Sequence, residues 1–328
     1  MNRQRQQLLI HAILIALLAL TLLPFFFVLN NSLRTNSELN HSYFGVPKAF
    51  TQAASFTWFK LTGQNQRIQL RAEPDETGKE TRLAVDIPPQ TLPYGQAMQQ
   101  LWSQTTKGYS YAWDVLRPYM LNSIFVCVAT MLGVIFVGSI SAYIFSRYRF
   151  PGHKLLFMIV LSFMMIPGVL TLVPSFLWMK KLGLLNSYSV LILPYIAGGQ
   201  VIAIFLFKGF FDGLPQELFE SARLDGASHF RQYWHIVLPL SKQVMAVVIV
   251  INLLGTWNSF LWPYIANSDA NHYVVAQGLF AMAQTQQVTS NQSTMFSAYV
   301  LASVPLLILF LYATKPFMTG VTSGAFKA

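Results

Sequence analysis

The side chains that most often do chemistry in proteins are few in this chain, and their spacing matches no catalytic or metal-binding motif. The sole Gly-Lys pair, Gly78-Lys79, follows no GxxxxGK[ST] phosphate loop, so we expect the chain not to hydrolyse ATP. The six histidines match no ligand spacing, and one cysteine, Cys127, forms neither a metal cluster nor an intramolecular disulfide. The sequence therefore predicts a protein that is not an enzyme and has no cofactor and no metal.

The polar residues that do stand together favour binding to another protein. Residues 217–239 read ELFESARLDGASHFRQYWHIVLP, a polar stretch with helical periodicity and a glycine near its middle. Pro215 suits a first helical position, and Glu217 favours the positive end of the helix dipole. Asp225-Gly226 is typical of a helix end. A second helix is predicted from Ser228 to Pro239, with one apolar face formed by four side chains: Phe230, Tyr233, Trp234 and Val237.

Long apolar runs flank this polar segment and identify the class of protein. The chain is 54% hydrophobic and only 10% charged, too little charge for a soluble domain of 328 residues. A membrane span needs about 20 apolar residues. Six runs without Asp, Glu, Lys or Arg meet that length, which predicts an all-α integral membrane protein with six transmembrane helices at 8–29, 119–145, 155–179, 182–207, 244–267 and 294–314.

The uncharged runs also weigh against other kinds of transporter. Ion-coupled secondary transporters usually keep ionisable groups inside the membrane, and here only His11 lies within a run, with no acidic partner in another run. An ion-coupled secondary transporter of a small polar solute remains the alternative function, and the lack of ionisable groups in the runs disfavours it. The chain has no nucleophile and base set that would support a membrane-embedded hydrolase or transferase. A simple channel is also disfavoured, because a channel does not require the polar segment.

The basic residues indicate the orientation. An even number of spans places both termini on one side, and short loops on the cytoplasmic side of membrane proteins carry an excess of Lys and Arg. The long 31–118 segment also carries basic residues, but loops longer than about 60 residues do not report topology. With both termini cytoplasmic, the short outer loops hold only Lys180 and Lys181, whereas the short inner segments hold Arg3, Arg5, Arg147, Arg149, Lys154, Lys208, Arg223, Arg231, Lys242, Lys315 and Lys327. The net charge of +10 thus indicates contact with anionic membrane lipid, and nucleic acid is not an expected partner. We expect the first run to be an uncleaved helix, since no small-residue cleavage site precedes Asn30.

The polar segment resembles a known family. Its pattern is similar to the EAA loop of binding-protein-dependent ABC importer permeases, in residue type, spacing and position between two spans: Leu214-Pro215, Glu217-Leu218, Glu220-Ser221-Ala222, Asp225-Gly226-Ala227, Ile236 and Leu238-Pro239. Ser221 stands where the family usually has alanine, another small residue. Further stretches look like the carbohydrate-uptake, maltose-type branch: RFPG at 149–152, MIP at 165–167, KLGLLN at 181–186, GTWN at 255–258 and GVTSGAFK at 320–327.

The resemblance implies a function, partners and a location. Such a chain is one half of a permease pair in a bacterial inner membrane, with two ABC ATPase subunits and an extracytoplasmic sugar-binding protein. The EAA loop would form the coupling helices that dock on the ATPase, through nine residues: Glu217, Glu220, Ser221, Ala222, Asp225, Gly226, Ala227, Leu238 and Pro239. A neutral sugar needs amide groups and aromatic faces along its path, for which the fifth run offers Asn252, Trp257, Asn258 and Trp262.

The remaining expectation concerns the organisation of the chain. We expect the N-terminus and first span at 1–30, an extracytoplasmic loop at 31–118 with an insertion at about 51–92, and a five-helix permease core at 119–328 with the EAA loop at 212–242. Within the insertion, Ile68, Leu70 and Ala72 alternate with polar residues, and so do Leu83, Val85 and Ile87, around a turn at 75–78. That alternation predicts a β-hairpin.

Overall fold

The computed structural model describes residues 3–62, 68–70, 90–289 and 292–325. The described residues are almost entirely helical and divide into two compact units. The first comprises Met1–Arg117 and Gly278–Val304, and the second comprises Pro118–Gln277 and Pro305–Ala328. Their helices, in chain order, are α1 Arg3–Ser32, α2 Asn36–His41, α3 Lys48–Leu61, α4 Tyr94–Arg147, α5 His153–Ser162, α6 Gly168–Lys181, α7 Ser189–Asp212, α8 Glu217–Leu224, α9 His229–Gln232, α10 Leu238–Leu240, α11 Lys242–Trp257, α12 Leu261–Ala266, α13 Val275–Thr289 and α14 Gln292–Ala325.

Four of these helices contain segments long and apolar enough to cross a membrane: Gln7–Ser32, Tyr94–Arg147, Ser189–Asp212 and Gln292–Ala313. Two bent helix pairs raise the number to as many as six if each pair is one span. These pairs are His153–Met165 with Gly168–Lys181, bent by 101°, and His229–Leu240 with Lys242–Trp257, bent by 73°. The six predicted runs each overlap one of these spans or pairs, but two of the runs are not single straight helices.

Proline causes the first bend. The predicted run at 155–179 is interrupted after a 3-10 turn at Phe163–Met165, where Ile166 is extended (φ −82°, ψ 115°). Pro167 follows as the N-cap of α6. A residue before proline is pushed out of the helical region, because the proline ring clashes with its backbone. Hence the apolar run turns sharply at Ile166-Pro167.

The second unit has a core that connects its spans to the polar segment. Phe207 and Phe211 of α7 are fully buried, and Val248 of α11 is buried with them. Val134, Ala142 and Tyr143 of α4 belong to the same cluster. At the opposite end of this unit, Asn122 of α4 donates to the carbonyls of Asn271 and Tyr273 at 2.8 and 2.9 Å. A polar contact therefore ties the loop after α12 to α4.

A buried ion pair organises the segment after α1 in the first unit. Arg34 is 5% and Glu38 4% exposed, with Nε and Oε2 4.0 Å apart. Arg34 also donates to Asn31 Oδ1 at 3.1 Å, and Glu38 accepts from the backbone N–H groups of Thr35 and Lys48. Buried charges are stable when they are paired and hydrogen-bonded in this way. This network orders the chain between α1 and α3.

The predicted β-hairpin is not supported. The strands of the described residues are β1 Ile68–Leu70 and β2 Gln90–Leu92, which pair antiparallel with Ile68 opposite Leu92. The partner that the sequence predicted for β1, at 83–87, and the turn at 75–78 lie outside the described residues. The start of the expected insertion is instead α3, which buries Ala49 and Phe56 against Ala97 and Leu101 of α4. Ala49, Ala53 and Phe56 are spaced as on one face of a helix, so the sequence does contain a local signal for α3 within the predicted insertion.

Candidate functional site

The polar segment forms a helical hairpin, residues 217–240, which we call the polar hairpin. Its first limb is α8, which follows the N-cap residue Gln216. The Gln216 carbonyl accepts hydrogen bonds from the backbone N–H groups of Phe219 and Glu220, at 3.0 and 3.1 Å. Gln216 also donates from Nε2 to Glu220 Oε1 at 2.8 Å. The predicted start at Pro215 is two residues too early, since Pro215 precedes the cap.

A tight turn joins the two limbs. At the end of α8 the N–H of Ala227 bonds the carbonyl of Ala222 at 2.8 Å, and the N–H of Gly226 bonds that of Arg223 at 3.0 Å. These two bonds define a Schellman C-cap, in which the residue at Gly226 takes a left-handed conformation. Its φ is +73°, as the Asp225-Gly226 pair predicted. A side chain at Gly226 would meet nothing within 4 Å, so the backbone angle alone makes glycine suitable here.

The second limb has an unusual helical geometry. Ser228 caps α9, and the buried Gln232 donates from Nε2 to the carbonyl of Ala227 at 3.0 Å, which fixes the limb to the turn. Tyr233–Val237 are π-helical, with the N–H of Leu238 bonded to the carbonyl of Tyr233. The prediction that Pro239 ends the limb is wrong by a residue, because α10 accommodates it near its first position and continues to Leu240.

The hairpin has one buried and one exposed side. Phe219, Tyr233 and Val237 belong to the same core as Phe207 and Val248 of the spans. In contrast, Leu224 is 91% and Phe230 72% exposed. The single apolar face predicted for the second limb is therefore split: Tyr233 and Val237 are buried, whereas Phe230 and Trp234 are exposed. A π-helical turn contains more residues than an α-turn, so it rotates side chains away from helical register.

Arg147 and Ser139 connect the hairpin to α4. The Arg147 guanidinium donates to the carbonyls of Phe211 and Leu214, and it lies over the Phe219 ring at 3.9 Å. Ser139 Oγ lies 2.7 Å from the hydroxyl of Tyr233. In the sequence Arg147 is only an orientation signal, and nothing there singles out Gln232. No motif marks either residue: Arg147 acts through contacts with a distant segment, and Gln232 acts through a side-chain bond inside the hairpin.

The two limbs enclose an open groove of about 460 Å³, which we call the hairpin groove. Ser221, Ala222, Asp225 and Pro239, four of the predicted docking residues, line it together with Leu218, His235, Ile236 and Leu240. Of the other predicted docking residues, Glu217 and Glu220 are exposed on α8, Gly226 and Ala227 form the turn, and Leu238 packs partly against the core. Small side chains at Ser221 and Ala222 leave the groove open to a partner's side chain.

The charge of the exposed side is negative along α8. No ion pair among the described residues involves Glu217, Glu220 or Asp225, and all three are exposed. The nearby Asp212 differs, because it is neutralised by Lys208 at 2.5 Å and accepts from Ser146 at 2.6 Å. An unpaired acidic edge beside a groove favours a partner with basic residues.

The four predicted path residues do not share one face. Trp257 is 5% exposed and is the last residue of α11, and Trp262 donates from Nε1 to the carbonyl of Val190 at 2.9 Å. Asn252 donates to the carbonyl of Val248 within its own helix at 2.9 Å. Asn258 is exposed and lies in the break between α11 and α12. This break divides the predicted run at 244–267, and at the end of α11 Asn258 Nδ2 and the Asn258 backbone N–H both donate to the Leu254 carbonyl.

Comparison with known proteins gives consistent matches. Residues 134–317 match the family described as binding-protein-dependent transport system inner membrane component. The chain is 33% identical over 223 residues to the diacetylchitobiose uptake system permease protein NgcG of Streptomyces coelicolor, covering 67% of this chain and 74% of that protein. It is 36% identical over 205 residues to the sn-glycerol-3-phosphate transport system permease protein UgpE of Yersinia pestis, covering 62% and 72%.

A solved structure has a similar fold. A chain of a bacterial ABC transporter involved in the import of the acidic polysaccharide alginate superposes with a TM-score of 0.66, at 18% identity. The match covers 96% of this chain and 98% of that one. At this identity the likeness concerns the fold.

Proposed function

This chain belongs to the family of binding-protein-dependent transport system inner membrane components, and from that premise we propose that it is the permease subunit of an ABC importer for a carbohydrate. It pairs with a second homologous permease subunit. Two ABC ATPase subunits supply the energy, and an extracytoplasmic sugar-binding protein supplies the substrate. The chain is a transport component and not an enzyme.

The polar hairpin carries this proposal. Its exposed side presents an acidic edge and the hairpin groove, while its buried side is part of the core of α4, α7 and α11. A force applied to the exposed side would reach the spans through close-packed side chains, since packed interiors transmit displacement with little compression. Closure of the ATPases would thus move the spans and switch the cavity between the permease subunits from inward-facing to outward-facing.

The substrate class follows from the relatives. One relative is named for diacetylchitobiose uptake and another for glycerol-3-phosphate transport. We propose Asn258 as a path-lining residue. Helix breaks at membrane depth are tolerated where they line a cavity or are buried in protein, and the amide of Asn258 can bond sugar hydroxyls. Asn252, Trp257 and Trp262 would support that position through the contacts described above.

The proposed orientation places the hairpin and both termini in the cytoplasm. Lys208 and Lys242 flank the hairpin in sequence, and the short connection from α4 to α5 contains Arg147, Arg149 and Lys154. The positive-inside rule assigns both segments to that side. The expected core at 119–328 includes the hairpin and the proposed path, and the loop at 31–118 would face the binding protein.

The test is co-purification of this chain with its partners in mild detergent. We expect wild-type chain to retain a second permease and an ATPase. The double variant Glu220→Lys, Asp225→Lys should lose the ATPase and keep the permease, because it reverses the acidic edge of α8. Asp114→Lys, a single charge reversal at an exposed acid of α4, is the control. Recovery of wild-type chain alone, folded and monodisperse, would overturn the importer assignment, and loss of ATPase from the control would overturn the docking surface.

A further inference from the structure

A second groove lies where α4 meets the start of the second limb of the polar hairpin. Its volume is about 380 Å³, within the range of roughly 300–1,000 Å³ that is typical of small-molecule sites. We call it the α4 groove. Its apolar lining comes from Ile140, Ile144 and Phe150 on one side and from Phe230 on the other. None of the predicted docking or path residues lines it.

The position of the α4 groove determines which molecules surround it. The apolar run of α4 ends at Phe145, and the first basic residues follow at Arg147 and Arg149. In an inner-membrane protein this change from apolar to basic marks the boundary between acyl chains and headgroups. The groove spans that boundary, since its lining extends from Ile140 to Phe150. Lipid is therefore the molecule present there at the highest concentration.

The polar end of the groove favours an anion. Arg149 lines the groove and is exposed, and no ion pair among the described residues involves it. His229, beside it, is held by the Tyr148 ring at 4.5 Å and by the Tyr143 hydroxyl, 3.4 Å from Nδ1. No acidic residue lines the groove. An amphiphile with a negative head thus matches the groove at both ends.

We propose that the α4 groove binds an anionic phospholipid, with the phosphate at Arg149 and an acyl chain along Ile140, Ile144 and Phe230. The same lipid would contact His229 and Phe230 at the start of α9, so occupancy would brace the second limb against α4. This consequence rests on the proposed function of the hairpin, whereas the binding itself does not.

Lipid binding is measured on the purified full chain by native mass spectrometry, with added phosphatidylglycerol or phosphatidylcholine. We expect retention of phosphatidylglycerol in preference to phosphatidylcholine. Arg149→Ala should weaken its binding by about tenfold or more, as for a lost charge-assisted hydrogen bond. Ile144→Trp should fill the groove and also reduce binding. The matched control is Arg231→Ala, which removes an exposed cation near His229 that does not line the groove, and it should change binding by less than about twofold because exposed charges are screened.

Each alternative outcome contradicts the proposal. Equal losses of phosphatidylglycerol binding in Arg149→Ala and Arg231→Ala would indicate a diffuse attraction between basic residues and anionic lipid, without a specific site. Equal retention of phosphatidylcholine, or unchanged binding in Ile144→Trp, would exclude a lipid held by head and chain together. Arg149-dependent binding of inorganic phosphate alone would identify a free anion as the occupant. Because no step uses ATPase or transport, selective lipid binding without recovery of an ATPase would contradict only the importer function.

Discussion

At the scale of single residues, Gly226 determines whether the polar hairpin can turn. Gly226→Ala should impair coupling, because a left-handed conformation costs a residue with a Cβ about 1–2 kcal/mol, while the space around Gly226 is open. Gly226→Asn should be milder, since asparagine tolerates that conformation. Gly226→Pro should abolish transport and leave membrane insertion intact, because it also removes the N–H that bonds Arg223. Substrate-stimulated ATP hydrolysis by the assembled transporter is the measurement.

The order of the three variants is the informative result. Wild type above Asn, Asn above Ala and Ala above Pro would follow the backbone argument. If Asn and Ala were equally impaired, the positive φ would not be the reason for glycine at this position. Normal uptake by Gly226→Pro, in cells without a duplicate permease, would contradict the coupling role of the hairpin.

At the scale of secondary-structure elements, α8 is attached to the spans through one aromatic side chain. Phe219→Ala should lower the free energy of unfolding by about 3–5 kcal/mol, the usual cost of removing a buried phenylalanine, because Phe219 is 4% exposed and lies under Arg147. Leu224→Ala on the same helix is the control, since Leu224 is 91% exposed and should leave stability unchanged. Thermal unfolding of the purified chain in detergent compares them, and equal melting temperatures would show that α8 is not anchored through Phe219.

The elements also show what the sequence could and could not predict. Apolar run length located the spans, and the Asp225-Gly226 pair located the turn, because both signals are local. The interruptions of the runs were not predicted: the run at 244–267 carries no charge at Asn258, where α11 ends. The pairing of Ile68 with Leu92 depends on segments far apart in sequence, and alternation alone does not select a partner strand.

Side-chain contacts of the candidate site were equally beyond local signals. The resemblance to the EAA loop identified Ser221, Ala222 and Asp225 as a group, and all three line one groove. Trp257 and Trp262 have the chemistry of a sugar path, but packing directs Trp257 into the protein and the Trp262 indole to Val190. Residue type indicates what a side chain can bind, whereas the tertiary fold determines which neighbouring groups it contacts.

At the scale of the whole molecule, the hairpin can move the spans only if α4, α7 and α11 pack as one body. In a membrane such packing relies on small residues that allow close approach. Gly199 of α7 is such a residue, because a Cβ there would meet Val134 of α4 at 2.8 Å and the Oδ1 of Asn252 of α11 more closely still. Its neighbour Gly198 has nothing within 4 Å of the same position. Gly198 is therefore a matched control position for a substitution at Gly199.

We expect Gly199→Ala to lower the free energy of unfolding by about 1–3 kcal/mol, the cost of overpacking a filled interior, and to reduce transport. Gly198→Ala should leave the unfolding of the isolated chain unchanged. Thermal unfolding of both purified variants, followed by uptake assays, separates packing from assembly with partners. Equal stability of the two variants would mean that α7 is not closely packed against α4 and α11 at Gly199. A displacement of the hairpin would then not be carried through α7 to the other spans.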